Sequence, residues 1–246
     1  GVQARDRAVV PDRQPVAHKL AEAVGNTVPM VLTGTVAAIL AGIVTGAVAA
    51  WRRGGVADHL NTGAAIAFYS LPTQWLALML VIGFAGVLPS SGMLDEFLLS
   101  PTPAQRLVDV LRHMALPSLT MALTLYGEYT LVVRSAMLEA LSEDYILTAR
   151  AKGLSDWAIV RRHALRNALL PTSTMVALSL GHVVGGAILI ETVFSWPGIG
   201  RAVYEAVLQR DYPMLQGAFL VLTLSVVTCN LVADLLYPRI DPRVSE

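Results

Sequence analysis

Long uncharged stretches alternate with charge-rich segments along this chain of 246 residues, and this alternation restricts the fold more than any other feature. Residues 27–50 hold no charged side chain over 24 positions. As a helix they would be roughly 36 Å long, which is enough to cross a bilayer. The pattern predicts an all-α integral membrane protein with five transmembrane helices, over 27–50, 62–88, 114–133, 168–190 and 214–233.

Charged residues make up 15% of the chain, against about 25% in soluble domains, and the net charge is zero, which gives no sign of a nucleic-acid partner. The only cysteine, Cys229, excludes an internal disulfide. Ten of the 18 Lys and Arg residues would lie on one side of the five spans, which is assigned to the cytoplasm. They are Arg52, Arg53, Arg134, Arg150, Lys152, Arg161, Arg162, Arg166, Arg239 and Arg243.

The sequence before the first span is polar and has no apolar core of signal-peptide length. We therefore predict an extracytoplasmic N-terminal segment over 1–26 and a transmembrane domain over 27–246. Two pairs of glycines at four-residue spacing, Gly42 with Gly46 and Gly181 with Gly185, indicate either close helix contacts or ordinary glycine content.

The segment 134–167 is too polar to lie in the bilayer. It carries ten charged residues, and at about 2.5 kcal/mol for each mid-membrane charge its insertion would cost roughly 25 kcal/mol. Ser142 is predicted as the N-cap of a first helix that ends at Gly153. Acidic residues follow the start and basic residues precede the end, as the helix dipole favours: Glu143 and Asp144, then Arg150 and Lys152.

A second helix is predicted after Ser155, with an apolar stripe of Trp157, Val160, Ala164 and Ala168. Two interpretations of the pair remain open. The helices either lie on the membrane surface and hold anionic lipid, or they dock a cytoplasmic protein. A ten-residue helix is only marginally stable alone, and the small Ala149 and Ala151 would let a partner approach closely.

Two motifs in order carry a family resemblance. Residues 143–154 read EDYILTARAKGL, and 162–171 read RHALRNALLP. They resemble the EAA-type cytoplasmic loop of ABC importer permeases, the inner-membrane components of binding-protein-dependent transport systems, in its dipeptide and oligopeptide variant. This chain departs from the general motif, with Leu147, Thr148 and Ala149 in place of Glu-Ala-Ala. The stretches 191–200 (ETVFSWPGIG) and 210–213 (RDYP) also resemble this branch.

The resemblance implies a multi-pass permease of the bacterial inner membrane that imports peptides, or else nickel, glutathione or haem. Its implied partners are a second homologous permease, two cytoplasmic ATPases that hold ATP and Mg²⁺, an extracytoplasmic solute-binding protein and membrane lipid. The family also leads us to expect a sixth span before residue 27. The implied ATPase-coupling residues are Glu143, Asp144, Tyr145, Ala149, Arg150, Lys152, Gly153 and Leu154.

The segment 191–213 is predicted to form a turn at the outer interface that leads into a short surface helix. It is interpreted either as a gate or binding-protein contact, or as a membrane-interface anchor in which a tryptophan lies at headgroup level. The candidate residues are Phe194, Trp196, Pro197, Gly198 and Gly200.

Four residues in or near the spans are candidates for the translocation path: Trp75, Tyr126, Glu128 and His182. Ionisable groups within a span indicate function by default. Structural roles are the alternative for these residues. Glu128 lies six residues before Arg134 and could reach the cytoplasmic interface, and His182 could form a hydrogen bond with a neighbouring helix.

Other classes fit less well. Neither Lys19 nor Lys152, the two lysines, ends a phosphate-binding loop, so no ATPase or other catalytic site is expected in this chain. A proton-coupled carrier tends to hold several intramembrane carboxylates, a channel would need a filter-like sequence, and an intramembrane serine protease would need a facing Ser and His. The five His residues have no metal-ligand spacing, so no metal site is expected.

Overall fold

The computed structural model describes residues 15–95 and 100–240, with side chains described outside 177–186, 233–234 and 236–240. All regular elements in this part of the chain are helical, as the alternating pattern predicts. The helices are α1 (Val16–Trp51), α2 (Val56–Ser70), α3 (Thr73–Gly83), α4 (Pro103–Ser142), α5 (Asp144–Ala151), α6 (Asp156–Ile159), α7 (Leu165–Val193), α8 (Ile199–Gln209) and α9 (Tyr212–Ile240), with a π-helical turn at Val160–Ala164 before α7.

Several helices differ in extent from the predicted spans. α1 begins eleven residues before the predicted span, so 16–26 is helical rather than a separate polar segment, and residues 1–14 lie outside the described part. The predicted span over 62–88 is divided into α2 and α3 at Pro72, which lacks an N–H and favours an extended residue before it. The two helices meet at 109°.

The number of membrane crossings stays a prediction. Within the described residues, Val16–Trp51 and Tyr212–Val232 are each long and apolar enough to cross a bilayer, and the bent pair of α2 and α3 would count as a third crossing if it is one span. α4 is 40 residues long and extends beyond the predicted span at both ends. It begins at a capping box formed by Thr102 and Gln105, and it continues nine residues past the predicted span, to Ser142.

α1 and α4 form the centre of the molecule. Gly42 and Gly46 lie on their contact, where an added Cβ would come within 2.5 Å of the Tyr129 Cβ and 2.7 Å of the Thr130 carbonyl oxygen. The predicted role of this glycine pair in close helix packing is therefore confirmed. Gly181 and Gly185 lie outside the described side chains.

Apolar side chains cluster at both ends of this helix pair. One cluster joins α1, α3, α4 and α7 to the segment after α7 and includes Met30, Ala77, Met114, Phe194 and Trp196; we call it the outer cluster. A second cluster packs the end of α1 and the last turns of α4 against the start of α7, and it includes Ala50, Val133, Met137, Ala164 and Ala168. Three residues of the predicted stripe, Val160, Ala164 and Ala168, are buried in it, whereas Trp157 is 57% exposed.

Candidate functional sites at the two ends of the bundle

The first candidate site is the segment around α5, which is predicted to lie on the cytoplasmic side. Its start differs from the prediction, because Ser142 ends α4 and its hydroxyl donates to the Glu139 carbonyl. Glu143 is the N-cap of α5, in extended backbone and without a capping side-chain bond. Ser155 is the predicted N-cap of α6 and accepts from the Ala158 N–H at 3.4 Å.

The end of α5 matches the prediction. Gly153 has φ of +75°, and its N–H donates to the Arg150 carbonyl while the Leu154 N–H donates to that of Ala149. This is the left-handed residue that commonly follows a helix end. An added Cβ at Gly153 would meet no atom within 4 Å, so the glycine is required by backbone conformation rather than by space.

One face of α5 holds the helix on the rest of the chain. Ile146 and Ala149 are 2% and 4% exposed and pack against Ile159 of α6. The Tyr145 hydroxyl accepts a 2.7 Å hydrogen bond from the Asn167 side-chain amide. The expectation that Ala149 leaves room for a partner is therefore wrong, because the helix turns this residue inward; Ala151 is exposed.

The opposite face of α5 is exposed in the described part of the chain. Leu147, which the prediction did not select, is 64% exposed. The predicted coupling residues Glu143, Asp144, Arg150, Lys152 and Gly153 are exposed, while Tyr145 and Leu154 are half-buried. The exposed Trp51 and Trp157 rings lie 5.8 Å apart beside this element. The segment therefore presents a charged surface with isolated apolar side chains.

The second candidate site is the segment between α7 and α8. Glu191, which the prediction did not select, is fully buried near the end of α7. Its Oε1 accepts from the Thr27 hydroxyl of α1 at 2.6 Å, and its Oε2 accepts from the Arg201 N–H at 3.0 Å. The Gly200 N–H also donates to this carboxylate.

Glu191 and Thr27 together cap α8. The first N–H groups of a helix have no partner within the helix, and the N-cap of α8 is Gly198, which has no side chain to offer. The Ile199 N–H donates to the Thr27 hydroxyl at 2.9 Å, and the next two N–H groups reach Glu191. An anionic group at a helix N-terminus is also favoured by the helix dipole.

The tryptophan of this segment is part of the core. Trp196 is 1% exposed, its ring N–H donates to the Asn26 carbonyl at 2.9 Å, and its backbone N–H donates to that of Glu191. The interpretation of Trp196 as a headgroup-level anchor is therefore wrong. The Asn26 side-chain amide in turn donates to the Pro197 carbonyl. Trp196 and Pro197 are therefore both hydrogen-bonded to Asn26 of α1.

Two glycines make room for the buried carboxylate. An added Cβ at Gly198 would lie 2.3 Å from the Glu191 carboxyl carbon, and one at Gly200 would lie 2.5 Å from the Ile188 Cα. Of the predicted outer residues, Phe194, Trp196, Gly198 and Gly200 are buried and only Pro197 is exposed. A protein that approaches this face in the described conformation would meet Pro197 alone of the five.

An open cavity of about 780 Å³ lies beside the outer segment, between the loop after α3, the first turns of α4 and the turn before α8. Its lining includes both acidic and basic side chains: Asp95, Asp109, Arg112 and Arg201. The Asp109 carboxylate accepts from the Asp95 N–H at 2.7 Å. The Arg201 guanidinium donates to the Ser195 carbonyl, which holds it at the turn.

The candidate path residues are scattered in the described structure. Trp75 is 48% exposed on α3, while Tyr126 and Glu128 are half-buried on α4. The Tyr126 ring packs edge-on against Phe68 at 6.0 Å. His182 lies outside the described side chains. No group of three His, Cys, Asp or Glu residues in the searched part of the chain could hold a metal ion.

Comparison with known proteins decides the family. The model of the family "binding-protein-dependent transport system inner membrane component" matches residues 42–246. This chain belongs to that family. The resemblance of its two motifs is thereby confirmed, and its members are membrane components of transport systems.

Named relatives are peptide permeases. The chain is 38% identical to the dipeptide transport system permease protein DppB of Escherichia coli, over 80% of this chain and 63% of that protein. It is 38% identical to the di/tripeptide transport system permease protein DppB of Pseudomonas aeruginosa, over 94% and 74%. It is 42% identical to the probable D,D-dipeptide permease DdpB of Escherichia coli, over 80% and 62%. The chain thus spans about three-fifths of the length of the two Escherichia coli relatives.

The fold is also that of a solved transporter. Two crystal forms of the inward-facing MetNI methionine ABC transporter contain a chain that superposes with TM-scores of 0.71 and 0.74. In both, 92% of this chain and 98% of that chain are covered at 18% identity. At this identity the likeness establishes the fold alone.

Proposed function

We propose that this family member is the transmembrane permease subunit of an ATP-driven importer, that it forms the path for dipeptides or oligopeptides, and that α5 transmits the motion of a partner ATPase. The curated relatives named for dipeptide transport support the solute class. The chain has no catalytic site in this proposal, and ATP and Mg²⁺ are bound by the partner.

The observation that carries the proposal is the two-sided construction of α5. Its inner face is fixed by Ile146, Ala149 and the Tyr145–Asn167 hydrogen bond. On its other face Leu147, Glu143, Asp144, Arg150 and Lys152 are exposed. A short helix fixed on one side and open on the other can follow a docked protein and pass its displacement to α4 and α7 as a rigid body.

The partner set follows from the family. A second permease of this family would complete the path, two ATPases would dock on the α5 side, and a solute-binding protein would approach the outer face. The complex would lie in the bacterial inner membrane. The outer segment is proposed as the gate element, with Pro197 and the charged rim of the adjacent cavity as the accessible contact.

Trp75, Tyr126, Glu128 and His182 remain proposed path residues. The exposure of Trp75 and the partial burial of Glu128 are compatible with a path between this chain and a second permease. A half-buried carboxylate within a helix that crosses the bilayer needs water or a polar partner beside it.

The experiment is a matched pair of charge insertions. Leu147→Asp on α5 and Leu208→Asp on α8 replace leucines of nearly equal exposure, 64% and 66%, at opposite ends of the molecule. We expect Leu147→Asp to remove the ATPases that co-purify from detergent and to abolish uptake of radiolabelled Ala-Ala, while Leu208→Asp keeps the ATPases bound. Equal ATPase recovery from both variants would show that α5 is not the docking element.

A further inference from the structure

Two exposed tryptophans meet at the end of α1. Trp51 is the last residue of α1 and Trp157 lies in α6, and their ring centroids are 5.8 Å apart. The uncharged stretch of α1 ends at Ala50, so both rings lie where the predicted first span leaves the bilayer. Tryptophan concentrates at this level because its ring is apolar and its N–H is polar. The pair therefore has the interfacial position that the buried Trp196 does not have.

An exposed apolar face of α1 leads to this tryptophan pair. Val36, Leu40 and Val44 are each half exposed or more, and their spacing places them on the same face of the helix as Trp51. From Leu40 to Trp51 the helix rises roughly 16 Å, which is about half of the 30 Å hydrocarbon thickness of a bilayer. The face thus has the length of one lipid leaflet.

The exposed side chains beyond the tryptophans are basic. Two arginines directly follow Trp51, two lie in the π-helical turn that follows α6, and one lies in the first turn of α7. No hydrogen bond or ion pair joins any of these five side chains to another of the described residues. We call the two tryptophans and five arginines the basic patch: Trp51, Arg52, Arg53, Trp157, Arg161, Arg162 and Arg166.

Nearby acidic groups do not neutralise the basic patch. Residues 155–169 contain one acidic residue, Asp156. The first acidic residue after Arg53 is Asp58, whose carboxylate is already bound by Arg134, with Nε 2.7 Å from Oδ1 and Nη2 3.0 Å from Oδ2. Even if Asp156 neutralised one arginine of the patch, four would remain. Clusters of about four to eight basic residues beside the cytoplasmic end of a span attract anionic lipid headgroups.

Part of the basic patch is concave. An open cavity of about 600 Å³ lies along the π-helical turn and the start of α7, and its lining is basic at one end and apolar at the other: Arg161, Arg162, His163, Leu165, Arg166 and Leu169. Guanidinium groups donate strong, charge-assisted hydrogen bonds to phosphate oxygens. Leu169 is exposed and falls within the predicted fourth span, so an anion in this cavity would have apolar surface directly beside it.

We propose that the basic patch binds the headgroup of an anionic phospholipid in the predicted cytoplasmic leaflet, with an acyl chain along the exposed face of α1. The surface offers an apolar face, then an aromatic pair, then arginines, which is the order of acyl chain, glycerol region and phosphate in such a lipid. An acidic protein would match the arginines alone. The site goes beyond the proposed function, because it uses none of the exposed residues of α5 and does not depend on ATPase docking there.

The site is tested with a phosphatidylglycerol that carries a photoreactive group in its acyl chain. It is added to the complete complex in phosphatidylcholine nanodiscs, and crosslinked peptides are identified by mass spectrometry. We expect crosslinks within residues 36–51, in excess over those of the same probe with a choline headgroup. Equal yields from the two probes would mean bulk lipid only and would overturn the proposal. Crosslinks from residues 36–51 to neither probe would assign this face to a protein subunit, with the same consequence.

The arginines are tested by a matched pair of double variants. Arg161→Gln with Arg162→Gln should lower the yield ratio of the two probes by about tenfold or more, since each arginine near an anionic surface contributes about fivefold. Arg106→Gln with Arg210→Gln removes two exposed arginines from the predicted outer side and should leave the ratio unchanged. Size-exclusion chromatography checks that both complexes stay intact. The same ratio in both double variants would contradict the site.

Two further measurements identify the occupant. Millimolar inorganic phosphate at constant ionic strength should not reduce the crosslinks, because a free anion has no acyl chain; a loss of crosslinks would mean a site for free phosphate and would overturn the proposal. The Arg161→Gln and Arg162→Gln variant should also keep the ATPases that Leu147→Asp loses. Loss of the ATPases with an unchanged lipid ratio would assign the patch to the ATPase instead. A normal lipid ratio in Leu147→Asp keeps the two proposals separate.

Discussion

The segment between α7 and α8, predicted to be the outer one, and the segment around α5, predicted to be cytoplasmic, both join a short helix to long ones. The contacts that hold the two segments differ. The outer segment is closed around a buried carboxylate, with Trp196 and Phe194 in the core. α5 rests on two buried side chains and one hydrogen bond, and its other face is open. A segment with many buried polar contacts keeps one shape, whereas a segment with few contacts can yield to a partner.

The largest expected effect is the removal of the buried carboxylate. Glu191→Ala leaves the Gly200 and Arg201 N–H groups without their acceptor, so we expect a loss of about 3 kcal/mol in unfolding free energy. Thermal unfolding in detergent measures it. The control is Glu205→Ala, whose carboxylate forms an exposed ion pair with Arg201 and should change stability by less than about 1 kcal/mol. Equal effects would mean that Glu191 does not fix the outer segment.

A smaller loss is expected from a single added methyl group at the same place. Gly200→Ala would put a Cβ 2.5 Å from the Ile188 Cα, so we expect a loss of about 1–3 kcal/mol. Gly63→Ala is the matched variant, since nothing lies within 4 Å of its added Cβ in the middle of α2; it should gain up to about 1 kcal/mol from helix propensity. Opposite signs in the same unfolding assay would confirm the tight packing, and a stable Gly200→Ala would contradict it.

The segment around α5 should respond to substitution through backbone strain rather than through packing. Gly153→Val forces a branched side chain into the left-handed region at a cost of about 1–2 kcal/mol, and we expect the end of α5 to unwind and ATP hydrolysis by the complex to become independent of solute. Asn tolerates this conformation, so Gly153→Asn should keep most of the coupling. If both variants behave like the original chain, the ordered end of α5 is not needed for coupling.

The smallest effect is expected at the hydrogen bond between α5 and α7. Tyr145→Phe removes the acceptor of the half-buried Asn167 amide, and we expect a loss of about 0.5–1.5 kcal/mol. Amide hydrogen exchange should show the loss in residues 144–151 and leave 194–201 protected. Faster exchange in residues 194–201 would mean that the stability of this segment depends on the hydrogen bond between α5 and α7, contrary to the expectation.

The elements of this fold follow from local sequence signals more closely than their arrangement does. The end of α5 could be predicted because glycine, here Gly153, is the residue that most readily adopts the left-handed conformation after a helix. The start of α6 could be predicted because Ser155 is a capping residue. The start of α5 was predicted wrongly, since the helical preference of 134–142 extends α4 and places Ser142 inside it. A break at Pro72 follows from its missing N–H, but the angle of 109° between α2 and α3 depends on the helices against which they pack.

The sequence by itself determined the membrane class, the all-helical fold and the family, because uncharged length, capping residues and two ordered motifs are local properties. Only the tertiary structure decided which polar side chains form hydrogen bonds and ion pairs between the helices. Thr27 and Glu191 are 164 residues apart, and Asp58 and Arg134 are 76 apart. Neither pair has a local pattern that would predict it. Each polar group is satisfied by a partner that only the packing of distant helices brings within hydrogen-bond distance.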